Sequence, residues 1–327
     1  MLSFTRGRPI ALALDKNNNK VFTIHVTPEL DEPDIHVDNV LELIDDCDID
    51  HLRNSMRIGN IELKLIKRAL GLDGKKREKL RLSEKLKHGL EILEDHARGK
   101  LKTEVDFNKS DEIARIIPLI GARDTPYDRS IALVGPSESG KTFLAKEICK
   151  FDQRKRPVVV FSKIEDDESL RELKTLRTPV DKKCRIIYIP LHTEDQLLSL
   201  PTNEDLRGTI CLFDDLDSFP SDIAKYMREY RDSVLESGRH CNITTMSTSH
   251  IMNNHGKTKV ILNECELVCL FPAANKRHAS KFLTERFGMG RVDSELLIRK
   301  AMRSGRMLCL KLSCPNMVIH NKGVILI

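Results

Sequence analysis

Residues 131–142 read Ile-Ala-Leu-Val-Gly-Pro-Ser-Glu-Ser-Gly-Lys-Thr, an apolar run passing straight into a glycine-flanked loop. The spacing G-x-x-x-x-G-K-[ST] is met at Gly135, Gly140, Lys141 and Thr142, with Pro136, Ser137, Glu138 and Ser139 between the glycines and Phe143 next in line. Such a loop turns backbone N–H groups inward and lets them approach phosphate oxygens. The lysine adds a point charge for β- and γ-phosphates, and the hydroxyl is suited to Mg²⁺. A helix predicted over Lys141–Lys150 aims its positive end at the same phosphates. A pattern this short also arises by chance in unrelated loops. The apolar strand before it and the helical run after it separate a phosphate site from coincidence. The expectation is a nucleoside triphosphate, ATP with Mg²⁺, held by residues 135–143.

The 327-residue chain, 40% apolar and 31% charged, has the composition of a folded globular protein with room for one large core or two domains. It contains no apolar run of membrane-spanning length, which takes about 18 residues. Its N-terminus lacks the basic-then-apolar pattern of a leader. An intracellular, soluble location with no membrane span is expected. Nine cysteines are spread along the chain with no C-x-x-C pair, which argues against a zinc ribbon or a thioredoxin-type site. Several sit in apolar runs such as Ile-Cys-Leu-Phe at 210–213, as buried reduced thiols do. The net charge of +5 is unevenly spread: Leu52–Lys102 holds fifteen Lys/Arg against seven Asp/Glu. That segment is either a solvated helical face or a contact surface for nucleic acid or an acidic partner.

Organisation changes along the chain. Pro9–Leu14 and Lys20–Val26 flank Asp15-Lys-Asn-Asn-Asn19, a hairpin signature. Helical stretches follow over Val37–Cys47 and Asp50–Leu70, broken by Leu-Gly-Leu-Asp-Gly at 70–74, then over Lys75–Arg98 with leucines at 80, 82, 86, 90 and 93. Residues 1–110 thus read as a mixed but mostly helical accessory region, and 111–327 as a second domain. There, strands are predicted at Ser130–Val134, Pro157–Ser162, Cys184–Ile189, Thr209–Phe213, Asn242–Ser247 and Glu266–Phe271. Helices are clearest at Ser221–Glu236, Asn275–Phe287 and Asp293–Ser304, and the chain closes on Met307–Leu312, Met317–His320 and Val324–Ile327. This alternation predicts an α/β fold with a mainly parallel central sheet flanked by helices, whose ligand sits at the carboxyl ends of the strands.

Thr-Ile-Cys-Leu-Phe-Asp-Asp-Leu-Asp at 209–217 is an apolar strand ending in acids. Phosphoryl chemistry needs one carboxylate for the metal and often a second to orient or deprotonate the attacking water; Asp214 suits the first role and Asp215 the second. Asp217 reads as a capping or supporting residue. The next strand ends at Thr248, Ser249 and His250, any of which is a candidate sensor of the γ-phosphate, Ser249 and His250 above all, or else an ordinary turn-forming residue. Arg239, just before that strand, is a candidate finger reaching a neighbouring subunit's site.

Taken together, the phosphate loop, Phe-Asp-Asp-Leu-Asp at 213–217 and Ser-Gly-Arg-His-Cys-Asn-Ile-Thr-Thr-Met-Ser-Thr-Ser at 237–249 resemble the DNA-packaging ATPases of poxviruses and other large DNA viruses, in the FtsK–HerA group of P-loop NTPases. Asn263 fits the same series. The resemblance spans roughly 125–275. The chain departs from it in two places: the family usually ends its fourth strand in Gln, where Ser249-His250 stands here, and often carries Arg where Ile261 stands. The resemblance implies Mg-dependent ATP hydrolysis driving double-stranded DNA into a capsid, by a homo-oligomeric ring that docks on portal or vertex proteins in the host cell or virion. Catalytic roles would fall to Lys141, Asp215 and Arg239, and metal binding to Thr142 and Asp214. The rival readings are a P-loop kinase, for which Arg171 and Arg177 are the only lid candidates, and a nucleotide-regulated scaffold without turnover.

Overall fold

The structure, a computed structural model, describes residues 1–4, 7–27, 56, 58–70, 82–90, 93, 104–108, 110–120, 130–164, 167–179, 182–190, 194–250, 259–273, 276–312 and 316–327. The expected helix over Val37–Cys47, the breaker at 71–74, Leu80, and Cys47 and Cys314 lie outside them. Contacts divide the chain into two units: Met1–Gly7 with Ile24–Val105, and Arg8–Thr23 with Asp106–Ile327.

In the first unit, β1 (Leu2–Ser3) pairs antiparallel with the far end of β3 (Lys20–Val26), Leu2 opposite Val26. Helix α1 (Asn60–Leu70) begins with half of a capping box, the Glu62 carboxylate accepting from the Gly59 N–H at 2.8 Å. Its Ile66 and Ala69 pack with Ile58 against Leu86, Leu90 and Leu93, the leucines expected from helical spacing. The lysines between them face outward, Lys85 beside Glu62 and Lys87 beside Glu84.

In the second unit, the hairpin turn after β2 (Arg8–Leu14) is built by Asp15, whose carboxylate accepts from the backbone N–H of Asn17 and of Asn19, both at 2.8 Å. β2 then pairs antiparallel with β5 (Arg115–Pro118), Leu12 opposite Ile117. That non-local pairing groups Arg8–Thr23 with the unit that holds the phosphate loop, whereas the sequence assigns the hairpin to 1–110. β5, β1 and the short β4 (Glu104–Asp106) carry no alternation long enough to be foreseen.

The remaining strands are β6 (Ser130–Val134), β7 (Val158–Ser162), β8 (Ile186–Pro190), β9 (Ile210–Phe213), β10 (Thr244–Ser249), β11 (Leu267–Leu270), β12 (Leu308–Lys311), β13 (Met317–His320) and β14 (Gly323–Leu326). They lie side by side in the order β14-β13-β12-β11-β6-β10-β9-β7-β8. β11 through β8 are mutually parallel, and β12, β13 and β14 extend the sheet antiparallel. This is the expected α/β fold with a mainly parallel sheet. Its helices are α2 (Lys141–Lys150), α3 (Arg171–Thr175), α4 (Glu194–Leu197), α5 (Ser221–Ser237), α6 (Lys259–Glu264), α7 (Lys276–Phe287) and α8 (Arg291–Ser304). β6, β7, β9 and β11 are buried along their whole length, as strands covered on both faces must be. One core joins Ala132, Val268 and Leu310 to α7 and α8 through Phe282, Leu283 and Ile298; a second joins Phe161 and Phe213 to α5 through Ile223 and Met227. No helix among the described residues is long and apolar enough to cross a membrane.

Burial pushes the thiols of Cys149, Cys211 and Cys265 up to about 12, so they stay protonated near neutrality. His320 is fully buried, with Nδ1 2.9 Å from the Ser304 hydroxyl. Burial, aided by the charge of Lys300, pushes its pKa down to about 4. The unfolded chain therefore takes up a proton that the folded chain refuses. This contribution to stability is complete above the ordinary histidine pKa of about 6.5 and is lost as pH falls toward 4, in all roughly 3 kcal/mol. In denaturant titrations, the wild type is expected to lose roughly 2–3 kcal/mol more stability between about pH 7 and about pH 4.5 than His320→Gln, in which the other titrating groups are the same. An equal pH dependence in both proteins would overturn the assignment.

Candidate functional site

β6 delivers the chain to Gly135 at its carboxyl end. A Cβ there would stand 2.7 Å from Ser139 Oγ and 2.9 Å from Phe271 Cβ, so only glycine fits. The Gly135 N–H donates to the Ser249 carbonyl at 3.0 Å, tying the loop to the end of β10. Gly140 (φ +104°) and Glu138 (φ +61°) take left-handed backbone conformations that curl the loop around its own N–H groups. α2 starts with no side-chain cap and no acid in its first turn, which leaves its N-terminal N–H groups for an anion. The buried Lys141 ammonium donates to the carbonyls of Gly135 (2.7 Å) and Pro136 (2.8 Å). Burial lowers its pKa, opposed by the charges of Asp215 and Asp214. Ser137, Glu138 and Phe143 are exposed around this cradle, and Thr142 lies in the first turn of α2.

Two strands away, β9 ends at the paired acids. Stacked Phe161 and Phe213 rings (4.6 Å between centroids), with Tyr230 at their edge, fix that strand end. Asp214 is buried, its N–H bonded to the Phe161 carbonyl at 3.0 Å. Asp215 follows in the left-handed region (φ 46°, ψ 52°). The Thr248 hydroxyl joins the pair: it donates to Asp214 Oδ1 at 2.8 Å and accepts from the Asp215 N–H at 2.8 Å. Burial raises the Asp214 pKa. The Thr248 hydrogen bond and the Lys141 charge lower it, and the charges of Asp167 and Asp215 push it further up. His250 Nε2 lies 3.1 Å from Asp215 Oδ1.

The structure thus brings Lys141, Asp214, Asp215, Ser249 and His250 to one edge of the sheet. It adds Asp167, which has no sequence signature of its own, and gives Thr248, named from the sequence only by its place at the strand end, a bridging contact to both acids. The strand carrying Thr248 is shifted by two residues from the expected Asn242–Ser247. A 3-10 turn at Gly238–Cys241 and left-handed Asn242 (φ 56°) delay its start, and pairing with β6 carries it on until Ser249 lies opposite Val134. Arg239, exposed on that turn, stands at the amino end of β10, roughly 20 Å of strand from the phosphate loop. It cannot reach the loop of its own chain. Ile261 is buried in the α7–α8 core and Asn263 is exposed on α6, which explains why an arginine does not stand at 261. Asp217 pairs with Arg228 at 3.0 Å, a supporting contact. Arg171 pairs with Glu168 in the open at 3.3 Å, and Arg177 is likewise exposed.

Among the described residues no three His, Cys, Asp or Glu side chains cluster as a metal cage. The donor set here suits a different arrangement: a hydroxyl on Thr142 and a buried carboxylate with a raised pKa on Asp214, which leave most of a dication's shell to phosphate oxygens and water. That is how Mg²⁺ is usually held in nucleotide sites.

No family model matches the chain. An uncharacterized protein of Sputnik virophage is 29% identical over 208 residues, a match covering 60% of this chain and 76% of that protein. Among solved structures, the genome packaging NTPase of Sulfolobus turreted icosahedral virus 2 bound to sulfate is similar with a TM-score of 0.40 at 13% identity, over 60% of this chain and 97% of that one. The DNA-packaging ATPase of Sulfolobus turreted icosahedral virus is similar with a TM-score of 0.40 at 12% identity, over 60% and 98%.

Proposed function

We propose that this chain is an ATP-hydrolysing motor that moves double-stranded DNA and packages a viral genome into a capsid. The observation that carries the hydrolytic part is the convergence of Lys141, Asp214 and Asp215 on one edge of a parallel sheet, with Thr248 bridging the two acids. Residues 135–143 hold the triphosphate through backbone N–H groups, with Lys141 exchanging its loop carbonyls for phosphate oxygens. Thr142 and Asp214 would hold Mg²⁺, which would supply charge neutralisation on the phosphates. Asp215, steadied by His250, accepts the proton of the water that attacks the γ-phosphorus as the bond to the β-phosphate oxygen breaks and ADP leaves. Ser249 reports the state of the site through its bond to Gly135.

DNA translocation is supported by the Gly238-Arg239-His240 approach to β10 and by the order of motifs around it, and a viral setting by the virophage relative. Because Arg239 stands at the far end of its own strand, it serves as a finger only in a neighbouring copy, in keeping with a ring and poor turnover by the monomer. In this reading residues 111–327 are the ATPase domain, and the basic Leu52–Lys102 segment of the accessory region 1–110 meets DNA phosphates or a portal protein. The test is ATP turnover with and without long duplex DNA, together with the particle mass when ATP is present. DNA-stimulated turnover by a ring is expected. Turnover that requires a small phosphate acceptor would overturn the motor in favour of a kinase, and tight binding without turnover would overturn it in favour of a scaffold.

A further inference from the structure

The nucleoside half of the ligand needs a site of its own. Beside the phosphate loop is a cavity of about 360 Å³, within the range of small-ligand pockets. It is lined by Ser139 and Gly140 of the loop, Phe143 of α2, and Arg115, Met307 and Asn321, all in the second unit. Phe143, 45% exposed, is part of the cavity wall.

The ring is held in place by charge. The Arg115 guanidinium lies 4.9 Å and the Lys146 ammonium 4.6 Å from its centroid. Both cations are themselves anchored: Arg115 to the fully buried Glu147 carboxylate at 2.7 Å, and Lys146 to Glu147 at 3.2 Å and Glu172 at 3.0 Å. Phe143 and Arg115 therefore form one rigid platform, and an aromatic ring and a guanidinium plane both stack on a base.

Another part of the cavity lining is equally fixed. Asn321 Oδ1 accepts from the N–H groups of Arg306 (3.1 Å) and Met307 (3.0 Å), and Gly305 lies so close that a Cβ would stand 2.4 Å from the Asn321 side chain. The Asn321 Nδ2 donor makes no hydrogen bond among the described residues. On the loop side, the buried Ser139 Oγ has no partner among them either.

We propose that this cavity takes the purine and ribose of the bound nucleotide, the base stacked on the Phe143–Arg115 platform with a ring acceptor on Asn321 Nδ2 and the ribose by Ser139. The proposal rests on the nucleotide reading above, because cavity and phosphate cradle share Ser139 and Gly140. Stacking area grows with ring size, so a purine is held more tightly than a pyrimidine.

Equilibrium titrations of the full chain with ATP, CTP and inorganic tripolyphosphate, each with Mg²⁺, test it. The wild type is expected to bind ATP more tightly than CTP. Phe143→Ala is expected to weaken ATP binding about tenfold and to leave tripolyphosphate binding unchanged. Phe143→Tyr, which keeps the ring, restores ATP binding. Because Phe143 is half exposed, unchanged thermal midpoints in both variants exclude unfolding as the cause. If the wild type binds ATP and tripolyphosphate but Phe143→Ala leaves the ratio of the two affinities unaltered, the cavity assignment falls while the phosphate site stands. If the wild type binds neither, the nucleotide reading falls and takes this proposal with it.

Discussion

Lys141→Ala is expected to weaken nucleotide binding drastically and, with it, to remove turnover. The ammonium is held under the loop by the Gly135 and Pro136 carbonyls, close enough to Asp214 and Asp215 that their charges raise its pKa against the cost of burial. No other lysine or arginine occurs within residues 131–145. A charge-assisted hydrogen bond is worth about 1.5–3 kcal/mol, and a lysine meeting two phosphates makes more than one, so affinity is expected to fall by a factor on the order of a thousand. The loop itself survives the change, because its path is set by Gly135, Gly140 and the Gly135–Ser249 hydrogen bond rather than by the lysine. Titration with a fluorescent ATP analogue measures the first effect, and the thermal midpoint checks the second. A variant that binds within about twofold of wild type would remove Lys141 from the phosphate site.

The parts of this site that were legible in the sequence are those whose chemistry is local. Gly135, Gly140, Lys141 and Thr142 lie within eight consecutive residues, and both acids follow one apolar strand, so short-range pattern suffices to find them. The bridging contact of Thr248 shows the opposite case. A threonine in Thr-Met-Ser-Thr-Ser is unremarkable by type. It reaches Asp214 and Asp215 only because β10 lies between β6 and β9 in one register, Ser247 opposite both Ala132 and Phe213. Arg115 is hidden for the same reason. Arg-Ile-Ile-Pro is too short to announce a strand, and its pairing partner β2 is about a hundred residues earlier in the chain. The sheet order was foreseeable in class but not in detail, since alternation of strands and helices implies parallel pairing without fixing which strands are neighbours. Arg239 could be named as a candidate from its flanking residues; only the direction of β10 shows that it faces away from its own loop.

Asp215→Asn is expected to keep nucleotide affinity and to lose turnover by roughly a thousandfold, the range in which removal of a positioned general base falls. The substitution is close to isosteric, and three features argue that the fold tolerates it. Asn adopts the left-handed backbone conformation (φ 46°) more readily than most residues. The backbone N–H that donates to Thr248 Oγ1 is untouched. The amide oxygen still offers an acceptor to His250 Nε2, now 3.1 Å from Asp215 Oδ1. What disappears is the negative charge and with it the ability to take a proton from water. Lys141 and the loop N–H groups remain, so the ligand is still held. The prediction separates Asp215 from Lys141 by experiment: one variant binds without turning over, and the other does neither. Single-turnover hydrolysis in assembled protein, measured beside an ATP-binding titration of the same preparation, reads both quantities. Hydrolysis at the wild-type rate in Asp215→Asn would transfer the proton-accepting role elsewhere. Asp214 is the weaker candidate, since its carboxylate lies buried with one oxygen occupied by Thr248, whereas Asp215 is open to the water that must be activated.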